Sequence, residues 1–259
     1  MQKIIFLLIV TALNFNGFAQ SNKKERKEEK KLRVNEMIEQ EEEGVIAFRK
    51  SFVFGAKLTT DGYGVFFEVG RASSVKKSLL FQLDISERKH IKEEKLGSAY
   101  SNSAPLIYGK INFFYPVKLG VQQQILLGNK SNKNGVSVTG NYGGGISLGL
   151  LRPYYVQVEN GGNVDYIKYD SPDSLEFLGG QIYGGPSLSK GWSDITVVPG
   201  VYTKLGLRFD YGMYNEVVSA IEVGLTAEYY TKKIPQMVYN EQKQFFYGAY
   251  FAILFGKRK

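Results

Sequence analysis

The chain has a single histidine, His90, and the residues around it are the first place where chemistry could sit. Ser86, His90, Glu93 and Glu94 supply the types needed for a nucleophile, a base and an orienting acid, the set that performs acyl transfer. That set is defined by geometry, and a solvated loop histidine in a charged stretch is the simpler reading. A second group, Asp165, Asp170, Asp173 and Glu176, offers oxygen ligands of the kind Ca²⁺ takes, but without the spacing of an EF-hand loop. Gly143-Gly144-Gly145 lacks the following helix and the Lys-Ser/Thr pair of a phosphate loop. The absence of cysteine removes disulfides, thiolate metal sites and cysteine nucleophiles. No catalytic set, cofactor or metal site is therefore expected, and the chain is read as non-enzymatic.

The elements that would carry these residues are strands. From Ile107 to Leu127 nearly every second residue is apolar, with Lys110, Asn112, Lys118, Gln122 and Gln124 between, which is a strand with one apolar and one polar face. About eight segments repeat the pattern. Phe52, Phe54 and Leu58 alternate with Gly55 and Lys57, and Val65, Phe67 and Val69 with Glu68. Phe81 and Ile85 alternate with Asp84, and Tyr142, Ile146 and Leu148 with Gly143, Gly145 and Ser147, the phase continuing through Tyr154, Val156 and Val158. Leu205, Leu207 and Phe209 alternate with Lys204, Arg208 and Asp210, Val223 and Leu225 with Glu222 and Glu228, and Phe251, Ile253 and Phe255 with the last segment's other face.

Two architectures fit such stripes. In a soluble sandwich or lipocalin-like barrel the apolar face points inward; in a membrane barrel it points into lipid and the polar face fills the middle. The polar faces favour the second. They carry Lys57, Glu68, Asp84, Lys110, Lys118, Lys204, Arg208, Asp210, Glu222 and Glu228, whose signs nearly balance, interleaved with small glycines. An eight-stranded barrel is just wide enough to be filled by side chains, so these charges are expected to pair inside it. Short turns near residues 75, 132 and 213 alternate with long loops near 95, 175 and 236, as in barrels whose short turns are periplasmic. Pro116 is expected to demand a bulge, or, together with Arg152-Pro153, to mark turns that would make ten strands. Tyr63, Tyr115, Tyr154, Tyr211 and Tyr229 suit aromatic girdles.

Residues 1–19 read as a secretory signal: Lys3, the apolar run Ile4 to Phe15, then Gly17 and Ala19 before Gln20. No later apolar run approaches the roughly 18 residues of a membrane helix. Residues 20–48 form a charged arm, helical or disordered, with basic residues first and acidic residues later. Residues 49–259 hold the barrel. The formal net charge of +8 would suit nucleic acid, but export points instead to lipopolysaccharide phosphates or a periplasmic partner.

The signal, the eight alternating strands and the aromatic final strand with Phe251, Ile253 and Phe255 together resemble the small outer-membrane barrels of the OmpA, OmpX and OmpW type. The chain departs from them by ending in Gly256-Lys257-Arg258-Lys259. The resemblance implies an all-β, eight-stranded antiparallel transmembrane barrel in the outer membrane, in contact with its lipid. The leading functional expectation is a structural or accessory subunit of a larger assembly or secretion complex, contacting partners through the outer loops and the periplasmic arm. The alternatives are a small channel or lipid-interacting barrel and, third, a lipid A-modifying enzyme.

Overall fold

Val65, Phe67 and Val69 point out of the protein while Phe66 and Glu68 between them are buried, and the same inversion recurs along the other barrel strands. The computed structural model describes residues 48–97, 105–130, 135–160, 163–170, 173–180, 182–187, 189–212 and 216–259, together with Arg26, Glu28, Glu29 and Leu32. The chain divides into two units, Met1–Phe48 and Arg49–Lys259. In the first, those four described residues are helical; the expected signal and the rest of the arm lie outside the described residues.

In the second unit the elements in chain order are β1 (Lys50–Thr59), β2 (Gly62–Ser74), β3 (Lys77–Arg88), β4 (Asn112–Gly128), β5 (Ser137–Pro153), β6 (Tyr155–Asn160), β7 (Asn163–Lys168), α1 (Ser174–Gly179), β8 (Ile182–Gly184), β9 (Thr196–Asp210), β10 (Val217–Ile234) and β11 (Lys243–Arg258). Eight of these strands close into one antiparallel barrel in the order β1-β11-β10-β9-β5-β4-β3-β2. The ring is sealed by pairing of the first strand with the last, from Ser51↔Arg258 to Thr59↔Tyr250. Closure leaves no free edge, which is how a chain without disulfides protects its strands.

The direction of the apolar stripe is now fixed. Leu205 and Leu225, mid-strand neighbours on β9 and β10, are each 60% exposed, whereas Glu222 of β10, on the other face of the same strand pair, is fully buried. A soluble barrel or sandwich has the reverse arrangement. A continuous apolar exterior of this kind is suited to lipid and not to water.

Pro116 makes neither a bulge nor a turn. On one side β4 pairs with β5 without interruption through Pro116↔Gly149. On the other, β3–β4 pairing runs to Ile85↔Val117, lapses, and resumes in the same register at Arg88↔Phe114. The missing N–H of proline is thus absorbed as a short gap in one ladder. The bulges that exist lie near barrel ends, between Ala72 and Ser74, Leu126 and Gly128, and Tyr229 and Ile234.

Two other expectations are corrected. The fourth strand starts at Asn112: Gly109 turns with a φ of +69°, which glycine adopts at little cost, and Lys110 and Ile111 after it pair with Met237 and Gln236 instead of a barrel strand. And Val156 and Val158, although in phase with β5, belong to a separate three-stranded sheet of order β7-β6-β8 within the long loop before β9. Their apolar face meets Phe177 of α1, Ile107 and Tyr154 rather than lipid.

Candidate functional site

Two places concentrate polar side chains: the barrel interior and the layer formed by the long loops. In the interior, the inward parity of each strand delivers charged groups from all sides to one axis. Arg208 of β9 donates to both oxygens of Glu68 at 2.8 Å and through Nε to Glu222 at 2.7 Å. Glu222 in turn accepts from Lys204 at 2.8 Å, from the Tyr250 hydroxyl at 2.7 Å and from Asn141 at 2.9 Å. Further along the strands Lys57 pairs with Asp84, and Gln122 donates to Gln82. Lys118 meets Glu228 at 2.5 Å, where the Tyr230 hydroxyl also donates at 2.7 Å. Arg88 reaches Asp61, in the β1–β2 turn, at 3.1 Å. Each of these ions has left water, a step that costs several kcal/mol unless opposite charges and hydrogen bonds replace the lost hydration.

Small residues make the space. A Cβ on Gly206 would collide with the Tyr250 hydroxyl, and one on Gly224 would lie 2.7 Å from the same ring. These two glycines are what allow Tyr250 to lie across the interior and reach Glu222.

Apolar clusters cover the network at both ends. Toward the short turns Val53, Val218, Ala220, Ala252 and Leu254 pack with Phe66 and Tyr250. Toward the long loops Phe114, Leu151, Val198, Tyr230, Ile234 and Phe246 pack together, with the rings of Phe114 and Tyr230 edge to face at 5.3 Å. Charge in the middle and hydrocarbon at each end leave little for water or ions to follow.

The structure thus brings Lys57, Glu68, Asp84, Lys118, Lys204, Arg208, Glu222 and Glu228 together inside the barrel. Asp210 sits at its short-turn end, held by Arg258 at 2.5 Å, Lys130 at 3.4 Å and the Gly212 N–H at 2.9 Å. Lys110 does not belong to this set. It precedes β4, in the β3–β4 loop, and pairs there with Glu93 at 2.5 Å. Burial lowers its pKa, and Glu93 opposes that shift. The network expected from the sequence held charges alone and left out the neutral partners Tyr250, Tyr230, Asn141, Gln82 and Gln122. Their signal was the same inward parity that marked the charges.

In the outer layer, His90 serves a turn. Its Nδ1 accepts the Lys92 N–H at 3.3 Å, and its own N–H is capped by Glu93 at 3.0 Å. Burial lowers its pKa below the usual 6.5, so the imidazole is neutral at pH 7 and able to accept. Ser86 points into the barrel, and its hydroxyl has no hydrogen-bond partner among the described residues. The two share no hydrogen bond, so the nucleophile–base contact of a triad is not formed. Among the described residues no three His, Asp or Glu side chains converge as metal ligands.

Arg152, on the outer face of β5, is buried over Phe113 at 4.2 Å and against Trp192 at 4.8 Å, and Tyr115 stacks on Trp192 at 5.6 Å. This cation–π packing ties the loop before β9 to the barrel wall. Tyr154 is no girdle residue: it is buried, and its hydroxyl accepts the Ile107 N–H at 2.8 Å. Tyr63, Tyr211 and Tyr229 are exposed on the barrel exterior near its ends, where girdle residues lie.

A closed ring of eight antiparallel strands, apolar outside and filled with paired charges, defines a small β-barrel of the transmembrane type. Among solved structures the chain is similar to the N-terminal β-barrel domain of Pseudomonas aeruginosa OprF, with 9% identity, a TM-score of 0.35, and 82% of this chain and 98% of that one covered. It is also similar to Neisserial surface protein A (NspA), with 15% identity, a TM-score of 0.34, and 81% and 96% covered. No protein-family model and no curated protein matches the chain. The class rests on the strand order and the burial pattern, not on these likenesses.

Proposed function

We propose that the chain is an exported, non-enzymatic barrel of the outer membrane that acts as a structural or accessory subunit of a larger complex of the assembly or secretion kind. Residues 1–19 serve as the export signal, residues 20–48 as a periplasmic arm, and the long loops face outward, as the short-turn rule directs. The carrying observation is the contrast between a filled interior and an elaborated long-loop end. The interior counts against the small-channel alternative, because its charges are spent on each other and apolar clusters cover both ends. The separation of Ser86 from His90 counts against a lipid A-modifying enzyme.

What remains for function is surface. Ile91 is 95% exposed and Leu175 87%, both in the outer layer, where Tyr239 and Trp192 are exposed as well. In the loop sheet β7 has a neighbour on one side only among the described residues, which leaves a strand edge for a partner to extend.

Affinity purification from membranes in mild detergent tests the reading. The chain is expected to come off with a stable partner, and the double variant Ile91→Asp, Leu175→Asp to come off without it while the barrel stays folded. Recovery of the unaltered chain as a lone monomer contradicts the subunit role. The lipid-interacting alternative is favoured by a specific feature of the short-turn rim.

A further inference from the structure

Inside the barrel the cations of the network meet acids, whereas the exposed lysines of the exterior have no salt bridge among the described residues. One corner of the exterior gathers several such cations in neighbouring rows. At the short-turn end Arg71 of β2 lies directly opposite Lys50 of β1, and the Lys50 backbone exchanges two 2.7 Å hydrogen bonds with that of Lys259. Lys257 follows in the next row, opposite Phe52 and Val217. All four cations are exposed, and no salt bridge joins any of them to an acid among the described residues. Side chains directly opposite on neighbouring strands stand roughly 5 Å apart, and like charges there repel. The barrel tolerates this row only where something outside it is anionic or where water screens it.

Immediately toward the barrel's middle the same surface forms a groove of about 730 Å³. Phe52, Val69, Val217 and Phe255 line its apolar part, and Lys50, Lys257 and Lys259 border it on the side of the rim. Hydrocarbon-lined space leading to a set of unmatched cations is complementary to one kind of molecule in a membrane: acyl chain in the groove, phosphate at its end. A free phosphate would leave the groove unused, and a zwitterionic headgroup would bring its own cation to the lysines.

We propose that this corner is a binding site for an anionic glycerophospholipid of the leaflet that meets the short turns, with an acyl chain over Phe52 and Phe255 and the phosphate between Lys50, Lys257 and Lys259. The site rests on the membrane-spanning reading above and adds to it a lipid preference. It lies at the opposite end of the barrel from the long loops, so it draws on a different leaflet from the one those loops adjoin.

The test uses the full chain in lipid nanodiscs containing equal amounts of phosphatidylglycerol and phosphatidylethanolamine, with gentle release of the protein and native mass spectrometry of the lipids that stay bound. Phosphatidylglycerol is expected to dominate. Each basic residue facing an anionic surface is worth about a fivefold change in affinity, so Lys50→Gln, Lys257→Gln and Lys259→Gln together should cut the preference by on the order of a hundredfold. Lys257→Gln alone should cut it about fivefold. The control variant Lys232→Gln, Lys233→Gln, at the long-loop end, should keep it. Excess inorganic phosphate should leave the bound lipid in place. Equal retention of the two lipids, an unchanged preference in the triple variant, or displacement by phosphate overturns the site while leaving the barrel reading intact. Failure of the unaltered chain to enter nanodiscs at all overturns both.

Discussion

Lys204 and Lys257 are the same residue type on strands of the same barrel, and they live by opposite rules. Lys204 points inward, where it is buried, 2.8 Å from Glu222 and over the rings of Phe66 and Tyr250. Lys257 points outward at the rim, exposed, with another cation in the adjacent row and no acid bonded to it among the described residues. Inside, no solvent is available to neutralise a charge, so the fold itself must supply the counterion. On the outer side of the rim, water and lipid headgroups are available, and the fold supplies no counterion to Lys257 among the described residues. Where a charge finds its partner therefore reports which medium each surface was built for.

Breaking the interior half of that comparison should have the largest effect. Arg208→Met removes the guanidinium that joins Glu68 to Glu222 and leaves buried carboxylates undercompensated. Loss of one partner from a buried pair costs about 3–5 kcal/mol, and the variant is expected to show that loss in urea unfolding from phospholipid vesicles. The exterior apolar band gives the next effect. Leu225→Arg places a charge at mid-strand on the lipid side and should cost about 2–4 kcal/mol in the same assay. In detergent-free water the same substitution would be harmless on a soluble barrel, so its cost in vesicles separates the two media. The rim gives the smallest effect: Lys257→Gln is expected to change unfolding stability by no more than roughly 0.5 kcal/mol, because no bond within the protein is lost. A cost at Lys257 comparable to that at Arg208 would erase the distinction between the two surfaces.

Most of the barrel was legible in the sequence because strand parity is a strict code. One residue of slip moves a side chain from lipid to interior, so alternation across Phe52–Leu58 or Leu205–Phe209 carries both strand and face. Balanced signs on the polar face pointed to pairing. Which acid meets which base was not legible: Glu68 and Arg208 are 140 positions apart and meet only across the closed ring. The destination of an apolar face was equally hidden beyond β5. Val156 and Val158 keep the phase of Ile146 and Leu148, yet they bury against Phe177 in a sheet of their own, because alternation describes a strand and not what covers it. Lys110 failed for a related reason. It continues the pattern of β4, but it follows directly on the turn at Gly109 and its backbone bridges to Met237 rather than to a barrel strand, so its partner becomes the loop residue Glu93. Pro116 shows the converse: a residue expected to distort the strand is absorbed by a gap in one ladder because the other ladder holds the register.

The central claim is that this barrel crosses a membrane with its interior filled. Single-channel recording from the purified, folded protein in a planar lipid bilayer tests that most directly. A membrane-inserted chain that gives no steady conductance is the predicted result, since the Lys204–Glu222–Arg208–Glu68 chain and the apolar clusters on either side of it occupy the path. Steady open channels of porin size would contradict it.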